Sequence, residues 1–255
     1  MDLGALVSNK HVFITGASGG LGAHFARLYA RCGAVVTVAA RRADRLAELV
    51  TELQGMGANA CAVSLDVTDE ASVGRAFAEA EAAQGPVDIV INNAGISRPG
   101  LAMELSTAEF DEVINTNLRG AWLVCARAGR NWKAAGRGGV IVNIASILGF
   151  RVAQAIVPYV ASKAAVVHMT RALALEWARY GIRVNALAPG YILTDINREF
   201  FETEPGQAMI RRIPMRRLGK ETDLDGAILL MSSDAASWMT GQTIAVDGGH
   251  LVSTL

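Results

Sequence analysis

Short runs of β-branched and apolar residues alternate with longer stretches of helical period along nearly the whole of this chain. Residues 12–14 precede a helical stretch at 21–31, residues 35–38 one at 46–53, and residues 60–65 one at 73–83. The run 87–91 leads into a long helical stretch over 107–135, and 140–144 into a helix from about 158 to 179. Residues 182–187, a helix near 222–231 and a last run at 243–246 complete the series. Runs that are apolar throughout, rather than at every second residue, belong to strands buried on both faces. The pattern therefore predicts a parallel sheet covered by helices on each side. With right-handed crossovers this is a doubly wound α/β fold of about seven strands.

With 255 residues the chain exceeds the ~150 of an average domain, yet α/β sheets commonly reach ~250 as one unit. There is no Pro/Ser-rich linker, repeat or low-complexity tract, so one domain over 1–255 is expected. Lys+Arg and Asp+Glu number 24 each, which leaves no global field to hold nucleic acid or an anionic membrane. No apolar run approaches the ~20 residues of a membrane helix, and Met1-Asp2-Leu3-Gly4 lacks the pattern of a signal peptide. Cys32, Cys61 and Cys125 are odd in number and without CxxC spacing, as expected of reduced thiols in the cytoplasm. His11, His24, His168 and His250 form neither HxxxH nor HExxH, so no metal site is expected. Gly-x-Ser-x-Gly is also absent, which removes the signal for a serine hydrolase.

The first run ends in Thr15-Gly16-Ala17-Ser18-Gly19-Gly20-Leu21-Gly22. A strand that passes through glycines into a helix is the setting in which Rossmann-type sheets hold a dinucleotide. Glycines let backbone approach a pyrophosphate, and the helix start supplies N–H donors and partial positive charge. Gly16, Ser18, Gly20, Leu21 and Gly22 are thus candidate cofactor contacts, with a plain strand–helix connection as the alternative. NAD sites usually place an acid ~20 residues further on, for the ribose hydroxyls. Here the second run ends Ala39-Ala40-Arg41-Arg42. A guanidinium binds a 2′-phosphate that a carboxylate would repel, so the sequence favours NADP(H), with Arg41 first and Arg42 second as ligands. NAD(H), with both arginines merely solvated, is the alternative.

Asn92-Asn93-Ala94-Gly95, Ser146 and Tyr159-Val160-Ala161-Ser162-Lys163 follow in order. Together with the glycine turn they resemble the short-chain dehydrogenase/reductase family over residues 10–249. If Pro158 opens a helix, Tyr159 and Lys163 are four apart and share a face. A phenol of pKa about 10 is a poor base at neutral pH, and a nearby ammonium favours its phenolate. The resemblance implies that Tyr159 donates a proton in ketone reduction and accepts one in alcohol oxidation. It implies that Lys163 lowers the phenol's pKa and binds the nicotinamide ribose, that Ser146 holds the substrate oxygen, and that Asn117 supports a proton relay.

By the same resemblance Asp66, followed by Val67, accepts from the adenine amine, and Asn92, Asn93, Ala94 and Gly95 line the adenosine side. Pro189, Gly190, Ile192 and Thr194 lie beside the nicotinamide. Residues 193–214 correspond to a substrate lid, with Phe200, Phe201, Met209 and Ile210 among Arg198, Arg211 and Arg212. Leu148, Phe150, Gln154 and Tyr191 are further pocket candidates, and Arg98 and Arg151 are cations that could reach an anionic substrate. The helix faces 121–128 and 166–177 and the tail 251–255 are compatible with the family's homotetramer.

The leading expectation is a cytoplasmic oxidoreductase moving a hydride between NADP(H) and a small ketone or secondary alcohol. One alternative is an NAD(H)-dependent polyol, sugar-acid or secondary-alcohol dehydrogenase. A second is a 3-ketoacyl carrier-protein reductase, against which Leu175 stands where those enzymes carry a basic residue before the helix glutamate. A third, of another class, is a non-catalytic cofactor-sensing or scaffold protein.

Overall fold

The computed structural model describes residues 2–193 and 198–253. Seven strands form one sheet: β1 (His11–Thr15), β2 (Val35–Ala40), β3 (Ala60–Ser64), β4 (Ile89–Asn92), β5 (Gly139–Ile144), β6 (Ile182–Pro189) and β7 (Thr243–Val246). Their order is β3-β2-β1-β4-β5-β6-β7 and every pairing is parallel. The order reverses between β1 and β4, so the crossovers leaving these two neighbours diverge and open a crevice at the strands' carboxyl ends.

Alternate residues of each strand feed opposite layers. Val12 and Ile14 of β1 pack with α1 (Gly20–Arg31), α2 (Ala43–Gly55) and α9 (Asp225–Ser232), through Phe25, Tyr29, Leu46, Leu53 and Ile228. Phe13, between them, faces α3 (Glu70–Gln84) and α5 (Ala121–Ala134) and stacks on Phe77 at 4.5 Å. Both faces being apolar explains why the strand runs carry no polar alternation.

Helix starts follow local chemistry. Asp69 caps α3 by accepting from the Ala71 N–H, and Ser106 with Glu109 forms a capping box on α4 (Thr107–Ile114). Pro158 occupies the first turn of α6 (Val157–Trp177), where its missing N–H costs nothing.

The helices add detail to the sequence reading at 107–135 and at 193–214. The stretch from 107 to 134 is helical throughout, as expected, but with a π-helical turn at Asn115–Gly120 between α4 and α5. Within 193–214, two short helices stand where none was expected, α7 (Arg198–Glu202) and α8 (Glu204–Arg212). Among the described residues no helix is long and apolar enough to cross a membrane.

Trp132 is the largest fully buried side chain, and its indole N–H donates to the Val87 carbonyl at 2.7 Å. Trp132→Ala is expected to cost about 3–5 kcal/mol of stability, read from guanidinium unfolding curves.

Candidate active site

The carboxyl ends of β1, β2, β4, β5 and β6 surround a cavity of about 580 Å³, within the range that holds cofactors and small ligands. Gly16, Ser18, Gly20, Leu21, Arg41, Arg42, Asp66, Val67, Asn93 and Ala94 line one end, and Gly95 lies toward the other, where a Cβ on it would stand 3.5 Å from Lys163 Nζ. Ser146, Tyr159, Lys163, Pro189, Gly190 and Ile192 line the other. Thr194 lies outside the described residues.

Three of the expected residues act from behind the lining. Gly22 does not reach the cavity: a Cβ there would collide with the Gly16 carbonyl oxygen and stand 2.6 Å from Asn93 Nδ2, so Gly22 sets how closely α1 packs on the turn. Gly16 has φ of +67° and passes Ala94 so closely that a Cβ would lie 2.8 Å from its Cα. Asn92 corrects an expectation. It is 4% exposed, and its amide donates to the Ala121 carbonyl and to Asn143 Oδ1 rather than facing the adenosine side. As the last residue of β4 it turns inward, while Asn93 turns to the crevice. Asn93 Nδ2 donates to the Thr15 and Gly16 carbonyls at 3.0 and 3.3 Å and so ties β1 to β4.

Asn117, also behind the lining, lies in the π-helical turn and is 1% exposed. Its Oδ1 accepts from the Ile96 N–H at 2.8 Å, and its Nδ2 donates to the Ile96 carbonyl and the Ser162 hydroxyl. Ser162 in turn donates to the Tyr159 carbonyl at 2.7 Å. Asn117 thus braces both the segment after Gly95 and the first turn of α6. Sequence reading missed Ser162 and also Thr15, whose hydroxyl accepts from the N–H groups of Asn93 and Ala94, at 3.0 Å each. The available signal for Thr15 was a lone polar residue closing an apolar strand.

Several features fit a phosphorylated dinucleotide. Helix α1 begins without a side-chain cap and without an acid in its first turn, leaving its first N–H groups for an anion. Arg42 donates to the Ser18 hydroxyl and carbonyl, which places its charge against the glycine turn. Arg41 is exposed beside it, with no hydrogen-bond partner among the described residues. Asp66 accepts from the N–H and hydroxyl of Thr68. Burial pushes its carboxyl up, but those two hydrogen bonds and the Arg41 charge outweigh this and hold it below the usual range.

At the other end, Lys163 is 5% exposed and donates to the Ile144 carbonyl at 2.8 Å, its one protein acceptor among the described residues. Two N–H bonds are left for hydroxyl groups in the cavity. Burial pulls its pKa down to about 8. The ammonium lies 5.5 Å from the Tyr159 ring centroid. Contrary to the expected depression, the Tyr159 phenol is pushed up: burial raises it, the Ser146 hydroxyl draws it partly back, and Tyr191 raises it further. The reason is that the loss of hydration of the enclosed phenol outweighs its hydrogen bond with Ser146. The Ser146 hydroxyl also accepts from the Leu148 N–H at 3.1 Å, which fixes its direction. A buried phenol with a hydroxyl neighbour and an amine four residues along the helix can hold a carbonyl oxygen and pass it a proton.

The cations considered for an anionic substrate divide. Arg98 is paired bidentately with Glu112 at 2.7 and 2.9 Å, and is not free to bind one. Arg151 is turned to the C-terminal segment instead. Among the described residues no three His, Cys, Asp or Glu side chains group as metal ligands.

A family model described as enoyl-(acyl carrier protein) reductase matches residues 16–250. Gluconate 5-dehydrogenase of Gluconobacter oxydans is 36% identical over 248 residues, covering 97% of this chain and 96% of that protein. A 3-oxoacyl-[acyl-carrier-protein] reductase of Staphylococcus epidermidis is 36% identical over 242 residues, 94% of this chain and 98% of its own. The crystal structure of a gluconate 5-dehydrogenase from Burkholderia cenocepacia, in complex with NADP and tartrate, matches at TM-score 0.94 and 33% identity over 100% of both chains. The chain belongs to the short-chain dehydrogenase/reductase family.

Burial of Lys163 has a consequence for stability. An unfolded chain keeps this lysine protonated up to its ordinary 10.5, whereas the folded protein releases the proton near 8. Between these values the unfolded state holds the extra proton, so stability rises with pH across that window; below it the penalty is present in full. Lys163→Met is therefore expected to be more stable than the parent at pH 7 by about 1–3 kcal/mol, with the gain shrinking toward pH 10.5. Denaturant titrations at the two pH values check this; a gain independent of pH would contradict it.

Proposed function

We propose that the protein is an NADP(H)-dependent oxidoreductase that interconverts a ketone and a secondary alcohol. The observation that carries this reading is one cavity with Arg41 and Arg42 at one end and Ser146, Tyr159 and Lys163 at the other. When bound, the nicotinamide supplies or takes up the hydride. Tyr159 donates its proton to the ketone oxygen in reduction and accepts one from the alcohol in oxidation. A phenol held above its ordinary range stays protonated at neutral pH, which favours the donor role. Ser146 fixes the substrate oxygen, Lys163 binds the ribose hydroxyls, and Asn117 holds the surrounding backbone. Asp66 accepts from the adenine amine.

The substrate class we favour is a small polyhydroxy acid, since gluconate 5-dehydrogenases are among the relatives and one of their structures holds NADP and tartrate. A 3-oxoacyl carrier-protein reductase is the second reading, from the staphylococcal relative. Residues 193–214 would act as a lid within a single domain 1–255. Trp122 and Leu175, exposed on α5 and α6, support assembly as a homotetramer through these helices. Three unpaired cysteines support a cytoplasmic setting.

The deciding experiment titrates the purified protein with NADPH and NADH by nicotinamide fluorescence, then follows oxidation of gluconate with the preferred cofactor's oxidised form. Arg41→Ala is expected to weaken NADPH binding about tenfold or more and NADH binding far less. Equal losses would remove the phosphate-ligand role. Tyr159→Phe is expected to reduce turnover by a factor of at least ~100 while NADPH affinity stays close to that of the parent. Parent-like turnover in that variant would remove the proton-transfer role.

A further inference from the structure

The loop after Ser146 is fastened to the far end of the chain. Arg151, five residues beyond Ser146, donates through one guanidinium nitrogen to the His250 carbonyl and, at 2.9 Å, to the Ser253 hydroxyl. Ser253 closes the same turn by donating to the His250 carbonyl at 2.8 Å. Asp247 stiffens it from inside, accepting from the N–H groups of Gly249 and Leu251 at 2.9 and 2.7 Å. Both Asp247 oxygens are thereby committed to backbone, which leaves Arg151 its carbonyl and hydroxyl acceptors.

This turn bears on the substrate side of the cavity. A Cβ on Gly190 would stand 2.7 Å from the Asp247 Cα, so the Pro189-Gly190 segment is pressed directly on the turn. The Met215 N–H donates to the Gly248 carbonyl at 3.1 Å, tying in the end of the 193–214 region. The His250 ring lies against Tyr191, centroids 5.5 Å apart. Burial and the Arg151 charge hold that imidazole below its usual range, so it meets Tyr191 uncharged at neutral pH. Tyr191 in turn lies near enough to Tyr159 to raise its phenol.

We infer that Arg151 is a positioning residue for substrate binding: through the His250 carbonyl it holds the C-terminal turn so that the His250 ring backs Tyr191 beside the reacting group. The inference rests on the proposed oxidoreductase activity for its kinetic readout, but not for the fastening itself. A residue acting in this way affects how well the substrate is held more than the rate of the chemical step, and it leaves the nucleotide end untouched.

The test compares Arg151→Met, Arg151→Lys, His250→Ala and the Arg151→Met/His250→Ala double variant. Arg151→Met and His250→Ala are each expected to raise KM for the secondary alcohol about tenfold, with kcat within about threefold and NADPH affinity unchanged. The double variant is expected to lose no more than the worse single one, because both act through one contact. Arg151→Lys, which retains a donor, recovers part of the loss. Amide hydrogen exchange of residues 248–253 is measured in parallel. Arg151→Met should lose protection there while the β1 and β4 amides keep theirs. Multiplying losses in the double variant would mean that Arg151 meets the substrate itself, and would overturn the inference. Unchanged KM in both single variants, or unchanged protection of the turn, would do the same. If Arg151→Met does not fold, Arg151→Lys and His250→Ala carry the kinetic comparison. Absence of turnover in the parent would overturn the proposed function, and the exchange result would still decide the fastening.

Discussion

The site depends on one close approach, that of the glycine turn after β1 to the segment after β4. These strands are neighbours whose crossovers part in opposite directions, so the space between them stays open at the carboxyl ends. Missing side chains let the gap be narrow: Gly16 passes Ala94 with no room for a side chain, and Gly22 lets α1 settle against the turn. Asn93 and Thr15 hold the two loops together with hydrogen bonds in both directions. Thr15, Asn93 and Asn117 are thus satisfied by protein partners, while Arg41 and two of the Lys163 N–H bonds are left for a ligand.

The end that holds Lys163 and Tyr159 is built differently, around groups removed from water. Lys163 is enclosed with one carbonyl acceptor, and its amine loses part of its hold on the proton. Tyr159 is enclosed with it, and its hydroxyl tightens its hold. Burial moves a base and an acid in opposite directions, so both incline toward their neutral forms in the same crevice. A cationic ring brought in beside them would alter that balance and favour phenolate, which links the proton chemistry to the cofactor's redox state. Asn117, Ser162 and the π-helical turn brace the segment after Gly95 against the first turn of α6. A π turn in the middle of a helical stretch often marks a functional site.

Much of this architecture was legible in the residues. Apolar runs between helical stretches carried the parallel sheet, and the glycine turn and the arginines after β2 located the crevice and its far end. Other features left no trace of that kind. Alternation does not encode strand order, which arises from packing across the whole sheet. The π turn escaped because residues 107–135 keep helical period with no proline to interrupt them. Helix α8 carries Pro205 and Gly206 in its first turn, where a proline is at home, and Thr203 before them is its cap. Asn92 and Asn93 are chemically identical neighbours; only the pleat of β4 decides which one faces the crevice. The direction of the Tyr159 shift depends on depth of burial, which a sequence does not state.

The order in which the chain presents its parts adds a last consequence. The cavity takes Gly16 to Ser97 from the first part of the chain and Thr116 to Ile192 from the second, and the turn that backs Tyr191 closes at Ser253. During synthesis, which adds residues from the N-terminus, the glycine turn and the arginines therefore emerge well before Ser146, Tyr159 and Lys163, and the turn against Tyr191 follows them. Removal of residues 247–253 would retain the glycine turn, Ser146, Tyr159 and Lys163 and take away the turn packed against Tyr191.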